Sequence, residues 1–213
     1  MTSLSIEEFR DSLSNENVLI DLRSQEEFTS GFLPGSIFFE LDQLSHLLGV
    51  FFNSGDKVVF IVPEKQLPLL KAQIATIKEG LQLSFFEAES WNWDQQKEID
   101  MIIDVDAEEL GLDMKFDDHI ILADLRDTSD FEVVHLRGST SIPLKELSDV
   151  AQIAGLDEGG TIYLYGENSA DAITAASLLK KHGIHQIRVV KDGWKTISEE
   201  PSIEKFYAKQ KKN

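Results

Sequence analysis

The chain has 213 residues, 42% of them hydrophobic, 27% charged and 9% aromatic, the composition of a folded protein with one large domain or two small ones. Twenty Lys and Arg stand against 38 Asp and Glu, and the net charge of −18 repels a phosphate backbone, which argues against nucleic-acid binding. There is no cysteine, so no disulfide, thiolate metal site or thiol nucleophile can form.

Taken in chain order, Ser5 followed by Glu8 predicts a capping box and a first helix. The apolar run Val18–Leu22 predicts a buried strand, and Ser24 with Glu27 a second short capped helix. LPGSIFF reads as a turn into a strand, Lys57–Val62 as another buried strand, and Glu64–Glu79 as a helix stopped by Gly80. Leu83–Phe86 is a further strand, followed by the polar, acidic stretch WNWDQQKEID. The same series then returns. Asp106 with Glu109 starts a helix, Ile120–Leu125 is a strand, and LRGSTSI a turn into a strand. Thr161–Tyr165 is a strand, Ser169–His182 a helix stopped by Gly183, and Ile187–Val190 a strand. Lys205–Lys212 is locally basic and reads as a solvated helix end. Strands alternating with helices predict a parallel α/β sheet in each half, with helices on both faces.

No apolar run reaches the roughly 20 residues of a membrane helix. The first ten residues, MTSLSIEEFR, lack the pattern of a secretory signal. The expectation is a soluble, cytoplasmic protein with no membrane partner.

The second series is a repeat of the first. Asp21 maps on Asp124 at an offset of 103, as do Arg23 on Arg126, Phe28 on Phe131, Gly35 on Gly138 and Trp91 on Trp194. LSIEEF aligns with VDAEEL at an offset of 101, so the copies differ by two residues before the Asp-x-Arg strands. A constant offset over some 70 residues implies a tandem duplication of a domain of about 100 residues.

LIDLRSQEEFTSGFLPGS and LADLRDTSDFEVVHLRGSTSIPL resemble the rhodanese homology domain. That family joins a strand ending Asp-x-Arg to an aromatic-containing helix, a Gly-His-Ile-Pro-Gly-Ala/Ser turn and an Ile-Pro pair. The second copy keeps Asp124, Arg126, Phe131, His135, Gly138, Ile142 and Pro143; the first keeps Asp21, Arg23, Phe28, Gly31, Pro34 and Gly35. The resemblance implies a rhodanese-like domain over 1–90, a linker over 91–103, a second domain over 104–200 and a basic tail over 201–213. The pair is also similar to the two rhodanese domains that end metallo-β-lactamase-fold hydrolases of the persulfide dioxygenase type. The five histidines (46, 119, 135, 182 and 185) lack the metal-ligand spacing of the hydrolase part, so no metal or cofactor is expected.

Rhodanese chemistry uses a Cys in a loop between a strand and a helix, whose amides and N-terminal dipole lower the thiol pKa. By register, Gly166 stands at the Cys position of the second copy, followed by Glu167, Asn168, Ser169, Ala170 and Asp171. Asp171 falls where the family has an Arg. In the first copy Pro63 takes the Cys position, followed by Glu64, Lys65 and Gln66. Gly166 offers no nucleophile, Pro63 has no amide proton, and Glu64, Glu167 and Asp171 place negative charge where an anionic donor would sit. Both copies are therefore expected to be catalytically inactive as sulfurtransferases. Ser169 has two readings: a nucleophile with His135 as its base, or a helix N-cap or first-turn residue.

Asp21/Arg23, Asp124/Arg126, His135 and Gly138 are expected to be structural. The arginines would pair with Glu27 or Asp130, and the aspartates would bond turn amides. Trp194 is expected over the loop end of the sheet and Trp93 at a domain interface. Phe38, Phe39, Phe51 and Phe52 are expected in the core or between domains. The leading functional expectation is a binding, scaffold or regulatory protein linked to sulfur metabolism, with a protein partner carrying basic patches, or a homodimer. The alternatives are an enzyme of rhodanese fold that works without its own cysteine, through Ser169 or an external thiol such as glutathione, and a structural module of a metallo-hydrolase.

Overall fold

A computed structural model describes residues 1–13, 17–75, 80–93, 99–156 and 159–208. The chain divides into two compact units, Met1–Met101 and Ile102–Asn213.

The first unit runs β1 (Thr2–Ser3), α1 (Ile6–Ser12), β2 (Val18–Asp21), α2 (Gln25–Ser30), β3 (Ile37–Phe38), α3 (Leu44–Phe51), β4 (Lys57–Val62), α4 (Leu67–Ile74) and β5 (Gln82–Glu87). Its parallel sheet has the order β1-β5-β4-β2-β3. β4 lies at the centre and is buried from Val58 to Val62, which accounts for its unbroken apolar run. One part of the core gathers Phe9, Leu19, Val59, Ile61 and Phe86, with Phe9 stacked on Phe86 at 4.0 Å. Elsewhere in the core Phe28 stacks on Phe32 at 4.2 Å and meets Phe38, while Phe39 meets Phe51 and Phe52.

The second unit runs β6 (Ile103–Val105), α5 (Ala107–Phe116), β7 (Ile120–Asp124), α6 (Thr128–Val133), β8 (Val134–Leu136), β9 (Thr140–Ser141), α7 (Val150–Ala154), β10 (Thr161–Tyr165), α8 (Ser169–Lys181), β11 (Ile187–Val190), α9 (Trp194–Glu199) and β12 (Lys205–Tyr207). Its parallel sheet, β6-β11-β10-β7-β9, repeats the order of the first, strand for strand. α8 is buried at Ala170 and from Ala172 to Leu179, and its small residues Ala170, Ala172, Ala175 and Ala176 suit a close approach to its neighbours. The fold class is thus α/β, with two parallel sheets flanked by helices.

Several sequence expectations change in detail. The helix expected over Glu64–Glu79 opens as a 3-10 turn, Glu64–Gln66, before α4, where Pro68 occupies the first turn and its missing amide costs nothing. Residues 76–79, its expected end, lie outside the described residues. The stretch expected as a linker over 91–103 is structured where it is described. Trp91 is buried in the first unit, Asp100 bridges to Phe32, and Ile103 opens β6, so the division falls after Met101; residues 94–98 lie outside the description. The tail is no helix end. Lys205–Tyr207 form an antiparallel ribbon with β8, because Phe206 covers His135; residues 209–213 are not described. Among the described residues no helix is long and apolar enough to cross a membrane.

Candidate functional site

Asp21 and Asp124 end their strands fully buried, and each holds the arginine two residues on in a forked ion pair. Arg23 Nε lies 3.0 and 3.1 Å from the Asp21 carboxylate oxygens, and its Nη2 lies 2.8 Å from Oδ2. Arg126 repeats this on Asp124 with Nη2–Oδ2 at 2.7 Å. The backbone amide of each arginine also donates to its aspartate at 3.0 Å. Each Nη2 donates at 2.8 Å to a carbonyl eight residues on, Gly31 or Val134. The expected partners Glu27 and Asp130 are therefore not used. An Asp two residues away reaches the guanidinium without leaving the motif, and Glu27 is occupied as the capping partner of Ser24.

A tryptophan closes each pair. The Arg23 guanidinium lies 3.5 Å from the Trp93 ring centroid, and that of Arg126 lies 3.8 Å from Trp194. Trp93 therefore belongs to the first unit's own Asp-x-Arg site, where the sequence reading had placed it at an interface. It is Trp93 that corresponds to Trp194, at an offset of 101. The turn Ala88–Ser90 lengthens the first copy, so the alignment of Trp91 with Trp194 fails there. Trp194 also stacks on Tyr165, and its amide donates to the Gly166 carbonyl at 2.8 Å, at the loop end of the sheet as expected.

The two loops follow β4 and β10. In the first, Pro63 is buried with φ −59° and ψ 138°. The Glu64 amide behind it donates to both oxygens of Glu89, at 3.1 and 3.2 Å. A carboxylate of the chain itself thus sits where a bound anion would be received. Lys65 is exposed, and Gln66 donates its amide to the Pro63 carbonyl at 2.8 Å.

In the second loop Gly166 is buried. A Cβ at this position would stand 2.9 Å from Asp171 Cβ and 3.3 Å from the Asn168 carbonyl oxygen. Asp171 therefore fills the space that a side chain at position 166 would take. Asn168 is the N-cap and accepts from the Asp171 amide at 3.3 Å. Ser169 is the first helical residue, and its Oγ accepts from the Asp192 amide at 2.8 Å. Asp192 has φ 54°, the one non-glycine residue with positive φ among those described. Next to it, Gly193 at φ 53° is required, since a Cβ would collide with the Gly166 carbonyl. Glu167 is exposed and Ala170 buried.

His135 is not joined to Ser169. Its Nδ1 lies 2.6 Å from the Phe131 carbonyl, and its ring stacks on Phe131 at 3.9 Å and meets Phe206 at 5.0 Å. Gly138, at φ 83°, makes the turn before β9, as Gly35, at φ 80°, does before β3. Among the described residues no group of three His, Asp or Glu side chains is disposed to hold a metal.

A cleft of about 770 Å³ opens over the first loop, lined by Arg23, Glu27, Pro63, Glu89, Trp91 and Trp93 among others. Sequence reasoning missed Glu89 and the cleft, because Glu89 reaches the loop from 25 residues further along the chain. Hydrogen bonds from Ser24 hold the Glu27 carboxyl below its ordinary range, so it is an anion at neutral pH. In the other unit, burial and the Asp124 carboxylate push the Tyr165 phenol up, so it stays neutral.

Residues 106–200, within the second unit, match the rhodanese-like domain family. The uncharacterised protein YqhL of Bacillus subtilis (strain 168) is 35% identical over 74 residues, which are 35% of this chain and 57% of YqhL. The match thus spans little more than half of that relative. A rhodanese-like domain of the Anabaena protein Alr3790 is similar over 53% of this chain and 85% of its own, with a TM-score of 0.46 and 22% identity. Thiosulfate sulfurtransferase from Pseudomonas aeruginosa aligns with 98% of this chain and 41% of its own, with a TM-score of 0.43 and 16% identity.

Proposed function

We propose that the protein is a catalytically inactive tandem rhodanese-like protein with a binding or regulatory role, linked to sulfur metabolism through its family. The observation that carries this reading is the fate of the two loops. In the first, Glu89 occupies the Glu64 amide; in the second, Asp171 packs where a side chain on Gly166 would be. Both loops have become helix caps served by the chain's own side chains. Ser169 supports the same reading, since its Oγ accepts from the Asp192 amide, while His135 is turned to the Phe131 carbonyl. The repeated Asp-x-Arg-Trp arrangement and the common strand order support the first unit as a second rhodanese-like copy. The net charge of −18 favours a partner with basic surface, a metallo-β-lactamase-fold hydrolase being one candidate by resemblance.

Steady-state transfer of sulfur from thiosulfate to cyanide, with and without glutathione, tests the proposal. The expected result is no turnover above the uncatalysed rate in either condition. Turnover that vanishes on Ser169→Ala or Asp171→Ala substitution would overturn it.

A further inference from the structure

The cleft over the first loop has the wrong chemistry for a small anion and suits a cation on a long side chain. Among the described residues the one cation on its wall, Arg23, is already paired with Asp21 and lies against Trp93. The loop amide an anion would use is taken by Glu89. Two carboxylates remain on the wall. Glu27 uses Oε2 for both bonds to Ser24 and leaves Oε1 without a hydrogen-bond partner among the described residues. Lys65 is near enough to favour the charged form of Glu27, but it is exposed and makes no ion pair there. The indole N–H of Trp91, a residue 6% exposed on the same wall, is buried with no acceptor among the described residues. A ligand that satisfies this wall brings a positive charge for the carboxylates, an apolar stem for the indoles and a carbonyl acceptor. A basic side chain on a peptide backbone has all three.

We propose that this cleft receives an arginine or lysine side chain of a partner polypeptide, held between Glu27 and Glu89 against Trp91 and Trp93. The assignment rests on the binding role proposed above and gives it a site. The volume of about 770 Å³ accommodates an extended basic residue with its flanking amides.

Two of the three tryptophans of the chain line the cleft, so intrinsic fluorescence reports its occupation directly. The full chain is titrated with N-acetyl-arginine methylamide and N-acetyl-lysine methylamide, with N-acetyl-citrulline methylamide as the uncharged isostere and thiosulfate as the anion. A saturable change is expected with at least one basic probe, about tenfold weaker binding of citrulline, and no competition from thiosulfate. Glu27→Gln and Glu89→Gln remove charge while keeping an oxygen to accept from Ser24 and Glu64, so the caps survive. Each is expected to weaken the basic probe several-fold while the variant still unfolds in one cooperative transition, lowered by at most a few degrees through the lost charge of the cap. No saturable change with either basic probe, equal binding of citrulline, displacement by thiosulfate, or undiminished binding by both folded variants would overturn the assignment. Thiosulfate turnover is measured on the same preparation. Turnover would overturn the non-catalytic reading, whereas failed binding without turnover would overturn the cleft assignment alone.

Discussion

Arg23 and Arg126 show how a single charged residue is made affordable inside a core. Each guanidinium meets a buried carboxylate, a carbonyl and an indole face, so its Nε and Nη2 donors and one of its faces are served locally. Removing the indole exposes the pair on one side. Trp93→Ala is expected to cost about 1–2 kcal/mol in chemical denaturation, without loss of the Asp21–Arg23 contact. Gly166 carries the other residue-scale expectation. Gly166→Cys restores the family's nucleophile in name only, since its Cβ meets Asp171. It is expected to destabilise by about 1–3 kcal/mol and to transfer no sulfur from thiosulfate. The absence of a thiol nucleophile was legible here, because the chain has no cysteine. The packing of Asp171 on Gly166 was not, because a sequence register gives the position of a residue and not the volume it fills. Nor was the choice of Asp21 over Glu27 by Arg23, since both carboxylates lie within side-chain reach.

Among the elements, the helix starts follow local chemistry. Ser5 with Glu8 and Ser24 with Glu27 form reciprocal capping boxes, and Asp106 accepts from the Glu109 amide. The Glu27 cap has a pH signature. Its carboxyl is held below the ordinary value of 4.5, chiefly by the side-chain bond from Ser24. The stability it contributes is therefore complete above that value and is lost as pH falls through the lowered one. Ser24→Ala is expected to cost about 1 kcal/mol at neutral pH and to flatten the fall in melting temperature on the acid side, read by circular dichroism. A steeper acid limb in the variant would contradict this origin of the shift. The central strands β2, β4, β7 and β10 were readable because burial on both faces leaves an unbroken apolar run. The edge strands β1 and β6 were not, since two or three mostly exposed residues leave no pattern. The β8–β12 ribbon pairs segments some 70 residues apart through Phe206 and His135, which local periodicity does not report.

For the whole molecule, the internal repeat carried most of the information. It fixed two α/β units of about 100 residues, and the sheets share one strand order. The boundary shifted because Trp91 and Trp93 serve the first unit's core and its Asp-x-Arg site, while a polar sequence between them and Ile99 reads as linker. The central proposal spans both units: each loop after the central strand is capped by its own chain and does not receive an anion. The most direct measurement is a thiosulfate titration followed by backbone amide chemical shifts. The account predicts no saturable shift at the amides of Glu64–Gln66 or Glu167–Asp171, because Glu89, Asn168 and Asp171 already serve or crowd them. Saturable shifts confined to either loop would contradict it.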